Sequence, residues 1–316
     1  MKRNKLFFYS SCTPLTILLL FLLTAKGATT VAPISPLPLQ KMLHQAMQGG
    51  SYVLPSATEV AQAEQLFFNL LTEKKQQKSA WEKLGWQYLP IELGNHLGTR
   101  PAIILREAAE QKKGRGFFVF LRGEPSSKQV LTQQALTVPH GFKDMLTDDI
   151  GAALFEEGHF RCAAFNTVHR WVKQDDQRIE QDLAREPSSY FTAFTRAFAR
   201  SAPQGRLIQL HGFAQKKRKS AAGRRADFIL SSGSRYAQQD LRLLSNCLGR
   251  ALGITALTYP DQVKELGGTR NISGKILRTM HHPGFLHLEM SRPIRKRLHK
   301  EILARKKLLQ CIAAGN

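Results

Sequence analysis

The sequence predicts an α/β fold in which a mixed central sheet is flanked by helices. Short apolar segments typical of buried strands alternate along the chain with longer segments whose apolar residues recur at helical spacing. This alternation is typical of domains in which helices cover a sheet. The chain has 316 residues, of which 42% are hydrophobic, so its length suits one large domain or two small ones.

The strands are predicted from short apolar runs bounded by polar or glycine-containing stretches. In chain order these runs occupy residues 102–105, 117–121, 135–138, 163–168, 207–210, 227–230 and 285–290. In the last run Leu286, Leu288 and Met290 alternate with His287, Glu289 and Ser291. Because successive side chains of a strand point to opposite faces, this alternation predicts that the three polar residues share one face.

The helices are predicted from apolar residues that recur with a period close to that of an α-helix. They occupy residues 57–75, 144–157, 189–200, 236–252 and 292–312, of which the last forms one long basic helix. An aromatic stripe on the third of these helices is predicted to belong to the core, and it comprises Tyr190, Phe191, Phe194 and Phe198. Residues 81–90 are predicted to be a connection into the main domain.

The first 27 residues have the pattern of a secretory signal peptide. A basic segment at residues 1–5 precedes an apolar core at 15–23, and small residues flank Lys26 in Ala25-Lys26-Gly27. We therefore expect a periplasmic or secreted protein, with an uncleaved membrane anchor as the alternative. Residues 28–85 are predicted to form an irregular arm, which covers residues 28–56, followed by a helical extension. Residues 86–316 are predicted to form the main domain.

Three cysteines remain after the predicted signal peptide, which allows at most one disulfide. Cys162 and Cys247 have apolar sequence neighbours, so both are predicted to be buried thiols, and Cys311 is the third. We therefore expect a chain that disulfides do not staple.

The net charge is unusually positive. The chain has 46 Lys and Arg residues against 24 Asp and Glu residues, which gives +22. Such an excess favours anionic partners, among them an anionic cell-surface polymer. No nucleic-acid partner is expected, because the sequence has no zinc-finger, RNA-recognition or repeat signature.

Polar residues of catalytic type lie where predicted strands end. His140 follows one strand, and Asp144 comes four residues later, on the same face if a helix begins there. His211 follows a second strand, and Glu289 lies in the last one. Two histidines and a carboxylate are a common ligand set for a catalytic zinc ion, and a further glutamate that is not a ligand can accept a proton from water.

Each of these residues also has a structural interpretation. Glu289 can be a core residue that pairs with Arg292, because an isolated buried charge is costly. His287 either assists Glu289 or is a core histidine whose hydrogen bonds are satisfied. The sequence alone leaves these alternatives open.

Five segments, at residues 139–141, 165–170, 209–212, 267–270 and 285–292, form an ordered set of motifs. From about residue 138 to residue 292 their order resembles that of the N-formylglutamate amidohydrolase family, and the resemblance covers roughly half of the chain. Members of this family are zinc hydrolases with a phosphorylase/hydrolase-like α/β fold, related to the zinc carboxypeptidases. The resemblance implies the same fold and a Zn²⁺ cofactor here.

The resemblance also implies roles for individual residues. His140 and His211 would be zinc ligands, Glu289 the proton shuttle, and Asp144 the carboxylate ligand, with Asp148 as the next candidate. The chain departs from the related carboxypeptidases at this carboxylate, because their glutamate ligand falls at the position of Lys143.

Four further residues would bind the substrate. Arg170, Arg270 and Arg292 would hold substrate carboxylates, since a guanidinium pairs with a carboxylate through two hydrogen bonds. Asn166 would orient one of these carboxylates or the carbonyl of the scissile bond.

Together these features predict an exported zinc-dependent amidohydrolase or carboxypeptidase-like hydrolase. Its substrate would be an amide bond in an anionic acyl-amino acid, a γ-glutamyl compound or a cell-wall peptide. The alternative is a non-enzymatic exported protein that binds an anionic surface polymer on a degenerate hydrolase fold. Contact with a membrane is expected only through an uncleaved signal anchor.

Overall fold

The computed structural model describes residues 39–47, 52–73, 77–95, 98–123, 133–174, 177–180, 182–236 and 238–314. The predicted signal peptide lies outside these ranges. Within them, no helix has both the length and the apolar character that a membrane span requires.

The predicted α/β fold with a mixed central sheet is confirmed. The strands are β1 (Trp86–Asn95), β2 (Gly98–Glu107), β3 (Phe117–Leu121), β4 (Gln134–Val138), β5 (Cys162–Phe165), β6 (Trp171–Gln174), β7 (Gln177–Glu180), β8 (Arg206–Phe213), β9 (Phe228–Ser231), β10 (Ala256–Thr258) and β11 (Phe285–Ser291). Nine of them form one sheet in the order β1-β2-β3-β5-β4-β8-β11-β9-β10, and β6 and β7 form a separate hairpin. The four central strands β5, β4, β8 and β11 are parallel to one another.

Helices cover both faces of the sheet. They are α1 (Leu39–Met47), α2 (Ala57–Leu71), α3 (Lys78–Lys83), α4 (Thr147–Glu157), α5 (Tyr190–Ser201), α6 (Ala221–Arg225), α7 (Gln239–Leu252), α8 (Ile272–Thr279), α9 (Arg292–Lys300) and α10 (Ile302–Ala314). One apolar core joins the sheet to α1, α4, α7, α9 and α10, and a second joins the opposite face to α2, α3, α5 and α8. The central strands are apolar along most of their length because both of their faces are covered.

The aromatic stripe of α5 belongs to the second core, as predicted. Tyr190, Phe191, Phe194 and Phe198 are each at most 2% exposed. Phe194 contacts the rings of Phe67 from α2 and of Phe118 and Phe120 from β3. The stripe therefore attaches α2 and α5 to the sheet.

Two segments before β2 are more regular than the sequence indicated. The predicted connection over residues 81–90 contains the end of α3 and the first half of the edge strand β1. Trp81, Trp86 and Tyr88 are buried there, and their burial explains the ordered backbone. Likewise, α1 lies within residues 28–56, which were expected to be irregular.

The single long helix predicted over residues 292–312 is wrong, because α9 ends at Lys300 and α10 begins at Ile302. Glu301 between them has extended backbone angles. The guanidinium of Arg305 donates hydrogen bonds to the carbonyls of Leu298 and His299, over 2.7 and 3.1 Å. It thereby satisfies carbonyls that the break leaves without helical partners.

The cysteine prediction is half right. Cys162 is a buried free thiol, as expected. Cys247 of α7 forms a disulfide with Cys311 of α10, so the predictions of a buried thiol at Cys247 and of a chain without a disulfide staple were both wrong. The break after α9 turns α10 so that it lies against α7, and no local pattern in the sequence indicates that pairing.

Candidate functional site

Three neighbouring parallel strands deliver polar side chains to one edge of the sheet. His140 lies two residues beyond the end of β4, His211 lies in β8, and Glu289 lies in β11. The register pairs Glu289 with His211 and His287 with Gln209. The carboxyl ends of parallel strands in α/β proteins are where sites most often form.

The face of the sheet changes from apolar to polar along β8 and β11. Leu207 and Phe285, at the start of the two strands, belong to the second apolar core. Two residues further on, Gln209 and His287 replace them on the same face, and His211 and Glu289 follow. The alternation predicted for β11 therefore places its histidine and glutamate beside the residues of β8.

The turn that follows β4 brings His140 and Asp144 together. The amide of Asp144 donates a 2.8 Å hydrogen bond to the carbonyl of His140, which closes one helical turn. Helix α4 begins only at Thr147, so the predicted start at residue 144 was too early. The four-residue spacing still places the two side chains together, with 3.6 Å between His140 Nδ1 and Asp144 Oδ2.

Asp144 also reaches β8. Its Oδ2 lies 3.3 Å from His211 Nδ1 and accepts a 3.0 Å hydrogen bond from the amide of Gly212. His140, Asp144 and His211 are buried, with 7%, 9% and 5% of their surface exposed. Their ligand atoms lie within 4.8 Å of one another.

Each histidine has a second partner that fixes its ring. His140 Nε2 is 2.7 Å from Asp182 Oδ1, and His211 Nε2 is 3.0 Å from Gln209 Oε1, which also accepts a hydrogen bond from Asn271. When each Nε2 donates its hydrogen to these acceptors, the Nδ1 lone pairs of the neutral rings face Asp144.

This donor set fits a zinc ion. Two imidazole nitrogens and one carboxylate oxygen are typical of catalytic Zn²⁺ sites, which keep a further position open. Histidine ligands usually donate their other N–H to a carboxylate or another acceptor, as both histidines do here. His140, Asp144 and His211 would hold the ion.

The electrostatics of the three groups are coupled. Burial alone would lower the pKa of His140, but the hydrogen bonds that its ring donates to Asp144 and Asp182, and the charges of these carboxylates, outweigh burial and raise this pKa to about 9. Burial likewise acts to raise the pKa of Asp144, yet the two histidines hold it well below its ordinary value. Burial lowers the pKa of His211. The negative charge of Asp144 is thus balanced by a proton on His140. A bound cation can take the place of that proton.

Glu289 stands apart from the three ligand candidates. It is 7% exposed, and its Oε2 has no hydrogen-bond partner among the described residues. Burial, together with the charge of Asp144, raises its pKa to about 8. No ion pair joins it to Arg292 in the described part of the chain, so the structural interpretation of Glu289 as the partner of that arginine is not supported.

His287 lies beside Glu289, with 3.9 Å between Nε2 and Oε1. It is 3% exposed, and its Nδ1 has no hydrogen-bond partner among the described residues. Burial lowers its pKa well below the ordinary value, and the nearby His211 and His140 add to this effect. His287 is therefore a neutral buried imidazole, not a core histidine with both nitrogens satisfied.

The backbone of Gly268 packs closely against the ring of His287. A Cβ atom there would lie 2.9 Å from the ring, and the residue has a φ of +59°, which favours glycine. This glycine belongs to the loop of residues 267–270, so the loop approaches β11 closely enough to bring Arg270 to the cavity.

The candidate ligands and Glu289 line one cavity of about 520 Å³. Its wall is strongly basic: the cationic residues are Lys143, Arg170, Arg185, Lys217, Arg218, Arg270, Arg292 and Arg295. Among the described residues, Arg270 and Arg292 have no ion pair, whereas Arg170 pairs with Asp182 over 2.7 Å. Among the same residues Arg295 also has no ion pair, but it donates hydrogen bonds to the carbonyls of Met145 and Phe213, so Arg270 and Arg292 are the guanidiniums most available to an anionic ligand.

Asn166 does not line this cavity. Its amide nitrogen donates to the carbonyls of Pro139 and Val168, and its Oδ1 accepts from the amide of Val168. The substrate-binding role predicted for Asn166 therefore has no support in the geometry. The residue fixes the backbone immediately before His140.

Sequence reasoning missed the residues that support the ligands. Asp182 follows the β6–β7 hairpin and has no motif around it, so only its position in space identifies it. Gln209 lies two residues before His211, and in a strand that spacing places both on the same face. The signal for Gln209 was therefore present in the sequence, whereas that for Asp182 was not.

We expect Asp182→Asn to weaken Zn²⁺ binding by roughly 10–100-fold, the usual effect of losing such a supporting group. The amide keeps the shape of the side chain but removes the charge that orients the His140 ring. Competition with a chromophoric chelator measures the affinity. Asp261→Asn, at an exposed ion pair with Arg242, is the matched control and should leave it unchanged. Equal affinities for the parent and Asp182→Asn would contradict the support role.

Comparisons with solved structures find similarity at low sequence identity. A gene product of Agrobacterium tumefaciens is similar at 10% identity and a TM-score of 0.37, over 58% of this chain and 91% of that one. A metallo-carboxypeptidase from Burkholderia cenocepacia is similar at 11% identity and a TM-score of 0.38, over 75% of this chain and 67% of that one. No family model and no curated protein sequence matches the chain.

Proposed function

We propose that the protein is an exported zinc-dependent hydrolase that cleaves an amide bond in an anionic acyl-amino acid, a γ-glutamyl compound or a cell-wall peptide. The observation that carries the proposal is the convergence of His140, Asp144 and His211 in one cavity, beside the buried carboxylate of Glu289. Glu289 Oε2 is buried without a hydrogen-bond partner among the described residues, which is uncommon for a buried polar atom and supports a role toward a bound ligand.

The residues divide the chemistry between them. His140, Asp144 and His211 would hold Zn²⁺, which supplies a Lewis acid that activates water and polarises a carbonyl. Glu289 would accept the proton of the attacking water and return it to the leaving nitrogen. Burial raises the pKa of Glu289 to about 8. A carboxyl group with a pKa near neutral pH can serve both as the base that accepts a proton and as the acid that returns it.

The charge of the cavity supports an anionic substrate. Arg270 and Arg292 line the cavity and form no ion pair among the described residues. Each can therefore bind a substrate carboxylate through two hydrogen bonds. Arg170 is already paired with Asp182, so its main role is to position the Asp182 carboxylate that accepts a hydrogen bond from His140. We therefore assign substrate binding to Arg270 and Arg292 before Arg170.

Export is supported by a feature outside the cavity. The Cys247–Cys311 disulfide is of a kind that persists in oxidising compartments such as the periplasm and the extracellular space. It agrees with the signal-peptide pattern of the first 27 residues.

The proposed substrate class can be tested on a panel of N-acyl amino acids, γ-glutamyl compounds and cell-wall peptides, with uncharged amides for comparison. We expect hydrolysis only of anionic members. Arg292→Gln and Arg270→Gln should each raise KM by about tenfold or more, because a hydrogen bond to a charged group is worth about 1.5–3 kcal/mol. Arg250→Gln, at an exposed arginine of α7 away from the cavity, is the matched control.

Two results would contradict this proposal. Equal hydrolysis of charged and uncharged amides would rule out the anionic substrate class. Binding of anionic polymers without hydrolysis of any panel member would favour the non-enzymatic alternative.

A further inference from the structure

A second group of potential metal ligands lies where α1, α4 and α9 meet. It comprises His44 of α1, Asp148 and Asp149 in the first turn of α4, and His299 near the end of α9, and we name it the helix-junction cluster. None of the four residues lines the cavity that holds His211 and Glu289. The cluster is therefore separate from the candidate catalytic site.

Ligand atoms of His44, Asp148 and Asp149 lie within 4.8 Å of one another, and His299 adjoins this group through Asp149. His44 Nε2 lies 2.8 Å from Asp149 Oδ1 and 3.9 Å from Asp148 Oδ2. His299 Nδ1 lies 3.6 Å from Asp149 Oδ2. Ligand atoms around a tetrahedral Zn²⁺ with bonds of about 2.0–2.1 Å are about 3.3 Å apart, so small rotations would bring this set to an ion.

The two aspartates have only histidines as ionic partners among the described residues, and Asp149 also accepts a hydrogen bond from the side chain of Gln40. Their side chains are only 13% and 14% exposed, and they are adjacent in the chain. Burial and the charge of Asp149 raise the pKa of Asp148. Among the described residues neither aspartate forms an ion pair with a lysine or an arginine, and the histidines are their ionic partners. A divalent cation would satisfy both carboxylates.

We propose that the helix-junction cluster is a second metal site, at which His44, Asp148, Asp149 and His299 bind a divalent transition-metal ion such as Zn²⁺. Two imidazoles and two carboxylates offer four nitrogen and oxygen ligands, and Zn²⁺ accepts both kinds in a tetrahedral shell. The histidines are 46% and 37% exposed, so an ion can enter from solvent.

The position of the site indicates a stabilising role. Helix α4 begins three residues after Asp144, and α9 begins three residues after Glu289. An ion held by both helices and by α1 would join the first described helix to the two helices that follow the catalytic strands. The inference does not depend on the proposed hydrolase activity.

The test uses the full chain with His211→Ala, which removes a ligand of the cavity site. After dialysis against micromolar Zn²⁺, we expect this variant to retain one equivalent of zinc and to melt at a higher temperature than its metal-free form. Adding His44→Gln should abolish both effects, because glutamine keeps a hydrogen bond to Asp149 but removes the imidazole ligand. His159→Ala, at an exposed histidine outside the cluster, is the matched control.

The outcomes separate the two sites. No zinc in His211→Ala, or undiminished zinc after His44→Gln, would overturn the helix-junction site. One equivalent in both the parent and His211→Ala, lost with His44→Gln, would support the helix-junction site and contradict the cavity site. A folding failure is excluded by comparing the melting temperatures of the metal-free proteins, and Asp149→Asn provides a second variant for the same measurement.

Discussion

Glu289→Gln is expected to lower the turnover of the proposed hydrolase by roughly 10²–10⁴-fold, the usual contribution of general acid–base catalysis. The amide keeps nearly the same shape and cannot accept a proton. Glu289 makes no ion pair with Arg292 and no hydrogen bond through Oε2 in the described residues, so the substitution leaves no buried charge without its partner. Folding and zinc content should therefore be those of the parent.

The matched control is Glu82→Gln, which changes an exposed glutamate of α3 that pairs with Lys78. It should leave turnover and metal content unchanged. Steady-state turnover, elemental analysis and thermal melting of the two variants beside the parent complete the comparison. An active Glu289→Gln protein, or one that loses zinc or several degrees of melting temperature, would contradict the role of a proton shuttle.

His211→Ala is expected to remove one equivalent of zinc relative to the parent and to abolish turnover. The substitution deletes one of the two imidazole ligands and leaves Asp144 with a single histidine partner, His140. Elemental analysis after extensive dialysis measures the loss, and hydrolysis of the substrate panel measures the activity.

His159→Ala again serves as the control at an exposed histidine. If His211→Ala retains the stoichiometry of the parent and remains active, the ligand assignment is wrong. A variant that loses zinc but keeps full turnover would show that hydrolysis does not require the zinc ion.

Much of the sheet could be predicted because its strands are buried on both faces. Runs such as those of β3, β4 and β11 are apolar and bounded by turns, and the alternation in β11 gave the face of Glu289. The edge strand β1 was missed because its order depends on ring contacts of Trp86 with Trp81 in the preceding helix and with Tyr190 in the distant α5.

The convergence of the site could be predicted only in part. His140, His211 and Glu289 follow or occupy strand ends, and parallel strands bring such ends together. The partners that orient the rings, above all Asp182, come from a loop whose path the local sequence does not specify. The position of Asn166 outside the cavity was not foreseeable for the same reason, since its hydrogen bonds to the backbone follow from the tertiary path of the chain.

Zinc content and turnover, measured together on the parent, Glu289→Gln and His211→Ala, test the central claim most directly. The parent should bind zinc and hydrolyse an anionic amide. Glu289→Gln should keep the zinc of the parent with turnover reduced by about 10²–10⁴-fold, and His211→Ala should lose both one equivalent of zinc and the activity. Equal zinc and equal turnover in all three proteins would contradict the claim that these residues form a metal-dependent hydrolytic site.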